Sequence, residues 1–189
     1  MLNINFTPFP ILTTSRLLLR QMTMADLPEM FFLRSDEETV KYISRPRAKT
    51  YEDAARYITM FTDAAANNEG ITWAIAFNDK PETIIGHIGF WRIIKEHHRA
   101  EIGYLLHPQH QGKGIMQEAL TAALDYAFNS MHLHTIEGGV NPANAASIKL
   151  LERNGFVREA YFKEDFFWEG EYHDSAIYSL IAPKAKKVL

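Results

Sequence analysis

At 189 residues with 47% hydrophobic content, the chain is the size of one domain, residues 1–189, and carries enough apolar surface for one sizeable core. A formal net charge of -3 offers no basic footprint, so neither DNA nor RNA is an expected ligand. Cys is absent, which excludes disulfides, thiolate metal sites and cysteine nucleophiles and is compatible with a reducing cytoplasm.

Met1 to Ile11 is apolar in places, but Asn3, Asn5, Pro8 and Pro10 interrupt it and no basic residue opens it, so no signal peptide is expected. No apolar stretch approaches the roughly 18 residues of a membrane span, and a soluble protein is expected. Ser15 to Met22, with Leu17, Leu18 and Leu19 between polar flanks, predicts a first strand. Thr23 and Asp26 then precede an apolar set at Leu27, Met30, Phe31 and Leu33, with Pro28 in a first helical turn, where it is tolerated. Asp36 to Ile43 predicts a second short helix that Arg45-Pro46-Arg47 breaks, and a third begins near Thr50, with Asp53 three residues on.

From Ile71 the period changes to two: Ile71, Trp73, Ile75 and Phe77 alternate with smaller residues, and Asn78-Asp79-Lys80-Pro81 predicts a turn. The return strand runs from Thr83 to Ile94 and a further strand from Arg99 to Leu106, ended by Pro108. A long helix follows over Gly114 to Ser130, then a strand over His134 to Val140. Asn144 can cap a helix through Ile148, Leu150 and Leu151 that Asn154-Gly155 stops. Two final strands, Phe156 to Trp168 and Tyr172 to Ile181, are joined by Glu169-Gly170, and the Lys184 to Lys187 tail is expected to fray.

The segment Gln111-Gly112-Lys113-Gly114-Ile115-Met116 lies where a strand ends and the long helix begins. Its glycines let backbone amides approach a ligand, the positive end of the helix dipole converges there, and Lys113 adds a charge, which together suit phosphate oxygens; an ordinary Gly-rich turn is the alternative. A Walker A loop is excluded because Gly114 and Ile115 follow Lys113 where a hydroxyl should stand. The dinucleotide fingerprint lacks its third glycine and its βαβ setting.

Ala100-Glu101-Ile102-Gly103-Tyr104, the Gln111 to Met116 loop, Glu118-Ala119-Leu120, and Asn144-Ala145-Ala146-Ser147 through Gly155-Phe156 resemble the GNAT superfamily, and within it the ribosomal-protein N-terminal acetyltransferase branch. The similarity runs from Thr14-Ser15-Arg16-Leu17 to Tyr172-His173-Asp174, nearly the whole chain. It implies an α/β (α+β) fold with a mixed, mostly antiparallel sheet of about seven strands and about four helices, splayed between the fourth and fifth strands. It also implies acetyl-CoA as cosubstrate and an amine acceptor, either a protein N-terminus or a small amine.

Carried over residue by residue, the family's pyrophosphate loop falls on Gln111, Gly114 and Met116, with Gln109, Gly112 and Gly114 an overlapping match and Lys113 and Ile115 between. Met116 stands where a small residue is usual. Tyr104, Leu105 and Leu106 should offer backbone groups to the pantetheine arm, which Asn144 would also contact. Direct attack by the amine requires no enzyme nucleophile. Glu101, on the strand beside the splay, is the candidate proton acceptor, with His107 the alternative and a solvated strand glutamate the ordinary reading. Ser147, from the family's Asn-x-x-Ser pattern, is the candidate hydrogen-bond donor to the coenzyme sulfur, although a helix-start serine is equally ordinary; Tyr178 could replace it. Phe31, Phe32, Tyr42, Phe166, Phe167 and Trp168 could border an acceptor groove, though most such residues are core. The eight histidines lack a ligand set, so no metal is expected. A non-catalytic acyl-CoA-binding regulator is the competing function, and both monomer and homodimer fit.

Overall fold

A computed structural model describes residues 1–183; the Lys184–Lys187 tail lies outside them. The described strands form one sheet of eight in the order β1-β2-β3-β4-β5-β6-β8-β7. They are β1 (Leu12–Thr13), β2 (Leu17–Gln21), β3 (Ile71–Phe77), β4 (Lys80–Ile94), β5 (Arg99–Leu106), β6 (Thr135–Val140), β7 (Val157–Trp168) and β8 (Glu171–Ile181). Five α-helices accompany it: α1 (Leu27–Ser35), α2 (Glu37–Val40), α3 (Tyr51–Ala66), α4 (Ile115–Asn129) and α5 (Ala145–Arg153). No helix among the described residues is long and apolar enough to cross a membrane.

The mostly antiparallel sheet and its opening agree with expectation, and the counts differ by small elements. The extra strand is the two-residue β1, too short to carry a period, and it pairs Leu12 with Leu19 of β2. The helix expected over Asp36 to Ile43 stops at Val40, because Ile43 turns its N–H onto Val40 O at 2.8 Å and closes a turn instead. Pro81 lies inside β4 rather than in the hairpin turn. The register shifts between Phe77↔Lys80 and Ala76↔Ile84, and this bulge absorbs a residue that cannot donate to a ladder.

Two apolar layers cover the sheet. On one side α4 buries Ile115, Met116, Ala119, Leu120, Ala123, Leu124 and Ala127, a stripe recurring every three to four positions. Its alanines let the helix approach β-strand residues such as Trp73, Ile88 and Ile102. Each fully buried large aliphatic side chain there contributes about 1.5–3 kcal/mol. On the other side α1 and α3 pack Met30, Leu33, Ala54 and Ile58 against Ala74, Ile84 and Leu105. Capping explains where these helices start: Thr50 Oγ1 accepts from Asp53 N–H at 3.2 Å while Asp53 accepts from Thr50 N–H at 3.1 Å.

One junction in the sheet is parallel, between β5 and β6, and it holds for only Arg99↔Thr135, Ala100↔Ile136 and Glu101↔Glu137. Beyond Glu101, β5 continues to pair with β4 and β6 with β8, so the two strands part and the facing edge of β5 has no ladder partner. Unpaired strand edges demand acceptors and donors from elsewhere.

Candidate active site

The parting of β5 and β6 opens a cleft of about 540 Å³. From the sequence-predicted set, Glu101, Tyr104, Leu105, Asn144, Ser147 and Tyr42 line it. Trp168 borders an adjoining recess with Tyr42. Phe31 stacks on Tyr51, Phe166 on His173, and Phe167 packs on Tyr172. His107 also lies off the cleft: its ring stacks on Phe32 at 4.4 Å and its Nδ1 accepts from Gln109 N–H at 3.1 Å. Tyr178 is only 3% exposed and packs in the main core rather than on the cleft wall. Leu106 is buried and its carbonyl accepts from Gln111 Nε2 at 3.2 Å, which ties the end of β5 to the loop that follows.

That loop has the geometry of an anion cradle. Gly112 and Gly114 take φ of +71° and +72°, a left-handed conformation that other residues adopt at a cost. Gln111 N–H closes the preceding turn onto Pro108 O at 3.1 Å, and the next backbone bond is Glu118 N–H to Gly114 O at 3.1 Å. Among the described residues, the amides from Gly112 to Gln117 are therefore without acceptors, at the positive end of α4. Met116 turns its side chain into the core, where it is 8% exposed, so its bulk does not enter the cradle.

An anchor that the sequence did not reveal holds this loop. Glu118, in the first turn of α4, accepts from Thr14 Oγ1 at 2.6 Å, Ser15 Oγ at 3.0 Å and Arg16 N–H at 2.9 Å, and its Oε2 receives Arg16 Nε at 2.6 Å. Arg16 also donates from Nη1 to Lys113 O at 3.1 Å, inside the loop. Burial pushes the Glu118 pKa up, but the hydrogen bonds from Thr14, Arg16 and Ser15 outweigh it and hold it at about 2, below its ordinary 4.5. The anchor's contribution is thus fully present above about pH 4.5 and is lost as pH falls through about 2. Glu118→Gln should cost on the order of 1–2 kcal/mol at neutral pH. In denaturant titrations the gap to wild type should narrow below about pH 4.5; a gap indifferent to pH would contradict the anchor.

Glu101 stands where the sheet begins to open. Its Oε2 accepts from Arg92 Nη1 at 2.9 Å, and Arg92 is presented by an irregularity in β4 at which its own φ is +48°. The other oxygen, Oε1, faces β6 at Gly139, where a side-chain carbon would stand 3.8 Å away. On the opposite wall, Asn144 caps α5 by accepting from Ser147 N–H at 3.0 Å. Ser147 Oγ shares a 2.7 Å hydrogen bond with Tyr104 OH. Burial pushes the Tyr104 phenol up to about 12, with the bond to Ser147 pulling the other way; the phenol keeps its proton at neutral pH. Strand alternation sets Tyr104 on the face of Ile102, and its partner comes from another element 43 residues away.

Residues 16–157 match the family model described as an acetyltransferase (GNAT) domain. A Bacillus subtilis protein, uncharacterized N-acetyltransferase YoaA, is 34% identical over 176 residues, covering 93% of this chain and 99% of that one. The [ribosomal protein uS5]-alanine N-acetyltransferase of Escherichia coli is 35% identical over 108 residues, 57% of this chain and 56% of its own. The crystal structure of spermidine N-acetyltransferase from Vibrio cholerae, in complex with CoA and spermine, superposes with a TM-score of 0.78 at 26% identity, covering 89% of this chain and 96% of that chain.

Proposed function

Because the chain belongs to the GNAT acetyltransferase family, which makes it an N-acetyltransferase, we propose that it moves the acetyl group of acetyl-CoA to a primary amine in a ternary complex. The acceptor is a protein N-terminal α-amine or a small amine; the relatives' names carry a ribosomal-protein alanine and spermidine. The observation that carries the reading is the separation of β5 from β6 beyond Glu101. It leaves a strand edge with free backbone groups inside a cleft, and the same strand runs on through Leu106 into the loop whose Gly112 to Gln117 amides lack acceptors.

Acetyl-CoA, when bound, supplies the thioester that the amine attacks. The amides from Gly112 to Gln117 suit its diphosphate, and Lys113 adds a positive charge beside them. The free edge of β5 at Tyr104 suits an amide-bearing arm, as does Asn144. Glu101 Oε1 takes the proton that the nitrogen releases as the N–C bond forms, directly or through a water. The Tyr104–Ser147 hydroxyl pair donates a proton to sulfur as the C–S bond breaks. Tyr178 has no part in this scheme, since it is packed in the core.

Thiol release from acetyl-CoA against a panel of N-terminal peptides, amino acids, polyamines and aminoglycosides tests the proposal. At least one class should accelerate release over the hydrolytic background. Silence across the panel, in protein that takes up the coenzyme, would sink it.

A further inference from the structure

The cleft has a second wall, formed by α1, α3 and the α1-facing side of β4, that the acetyl-transfer scheme does not use. Arg34, one helical turn after Met30 on the buried face of α1, is 5% exposed and lines the cleft. Its side chain has a single described hydrogen bond, from Nη2 to Tyr57 OH at 2.7 Å, and its guanidinium lies 4.1 Å from the Tyr57 ring centroid. Arg34 Nε is buried without an acceptor. No carboxylate of the described residues lies within ion-pairing distance of it.

His87 adjoins it within an otherwise apolar run of β4. It is 7% exposed, it lines the same cleft, and both of its ring nitrogens are buried with no partner. Burial pushes its pKa down to about 3, with the charge of Arg34 adding to the effect, so the imidazole is neutral and offers one donor and one acceptor. Burial lowers the Arg34 pKa, and Arg45, exposed on the same cleft wall, adds positive charge that depresses it further. The one acid on the cleft lining is Glu101, already engaged by Arg92.

An isolated buried cation costs several kcal/mol unless an anion meets it. A guanidinium fork with unused donors is matched by a carboxylate. Resting on the amine-acceptor reading above, we infer that Arg34, supported by Tyr57 and His87, receives a carboxylate carried by the acceptor. The substrate class is then an amine that also bears an acid. A polyamine, the ligand of the Vibrio cholerae relative, meets two uncompensated cations on this wall and is a poor acceptor.

The test is calorimetry on protein saturated with CoA, using N-acetylalanine and N-acetylalaninamide as probes, beside thiol-release assays with alanine, alaninamide and spermidine. The acid should bind on the order of tenfold or more tightly than the amide, and Arg34→Gln should erase that preference. Equal affinities, no binding of either probe, or a preference that survives Arg34→Gln would overturn the assignment. The wild-type comparison of acid with amide needs no variant, so it decides even if Arg34→Gln fails to fold. The two ideas fail separately. Spermidine turnover with no discrimination between acid and amide removes the carboxylate site and leaves the transferase reading. Acid-selective binding without turnover of any amine keeps the site and removes the acceptor chemistry proposed above.

Discussion

Gly114→Glu is expected to reduce acetyl-CoA affinity by on the order of 100-fold or more, read by calorimetry. Gly114 caps α4 with φ +72° and ψ 8°, and its amide is one of six successive N–H groups, Gly112 to Gln117, without acceptors. A glutamate there brings a carboxylate into the space proposed for a diphosphate. Two unit charges about 4 Å apart near a protein surface repel by about 4 kcal/mol, and salt screening removes part of this. Folding suffers less. An added side-chain carbon would stand 3.6 Å from Arg16 Nη2, an ordinary contact, so the structural cost is the left-handed backbone, about 1–2 kcal/mol. Gly114→Ala carries the same backbone cost without charge and should lose far less affinity, which separates electrostatic exclusion from distortion of the loop. Unchanged affinity in Gly114→Glu would remove the diphosphate from this helix entrance.

The parts of the molecule that sequence made legible are those fixed by neighbours along the chain. The alternation of Ile71, Trp73 and Ile75, the Thr50–Asp53 cap, the Asn144 cap and the Gly112–Gly114 loop each depend on residues within a few positions, and all appear where they were expected. What stayed hidden is set by chance of meeting across the fold. Glu118 and Thr14 are 104 positions apart, and nothing local to either marks them as partners. Tyr104 read only as a strand residue offering its backbone, because its phenol finds Ser147 from another element. Two signals did exist for the second wall of the cleft. Arg34 stands on the apolar stripe of α1, and His87 interrupts a run from Ile84 to Phe90 that is buried throughout; a polar group at such a position needs a partner or a purpose. The opening of the sheet came only from family resemblance, since a three-pair contact between β5 and β6 leaves no periodic trace.

Glu101→Gln is expected to lower kcat by on the order of 10²–10³-fold, the usual worth of a positioned general base, while acetyl-CoA affinity stays within about twofold of wild type. The substitution is nearly isosteric, and its amide oxygen can still accept from Arg92 Nη1, so the irregular turn of β4 that presents Arg92 keeps its partner. Loss of the ion pair itself matters little, because the Arg92 side chain is 74% exposed and exposed pairs contribute about 0–1 kcal/mol. The contacts proposed for the coenzyme lie elsewhere, at the Gly112 to Gln117 amides and the β5 edge at Tyr104, which is why binding and turnover should separate. If Glu101 were only the counter-ion of Arg92, turnover in Glu101→Gln would match wild type. That outcome would move the base away from the point where β5 and β6 part, leaving the amine to deliver its proton to a group outside this cleft wall.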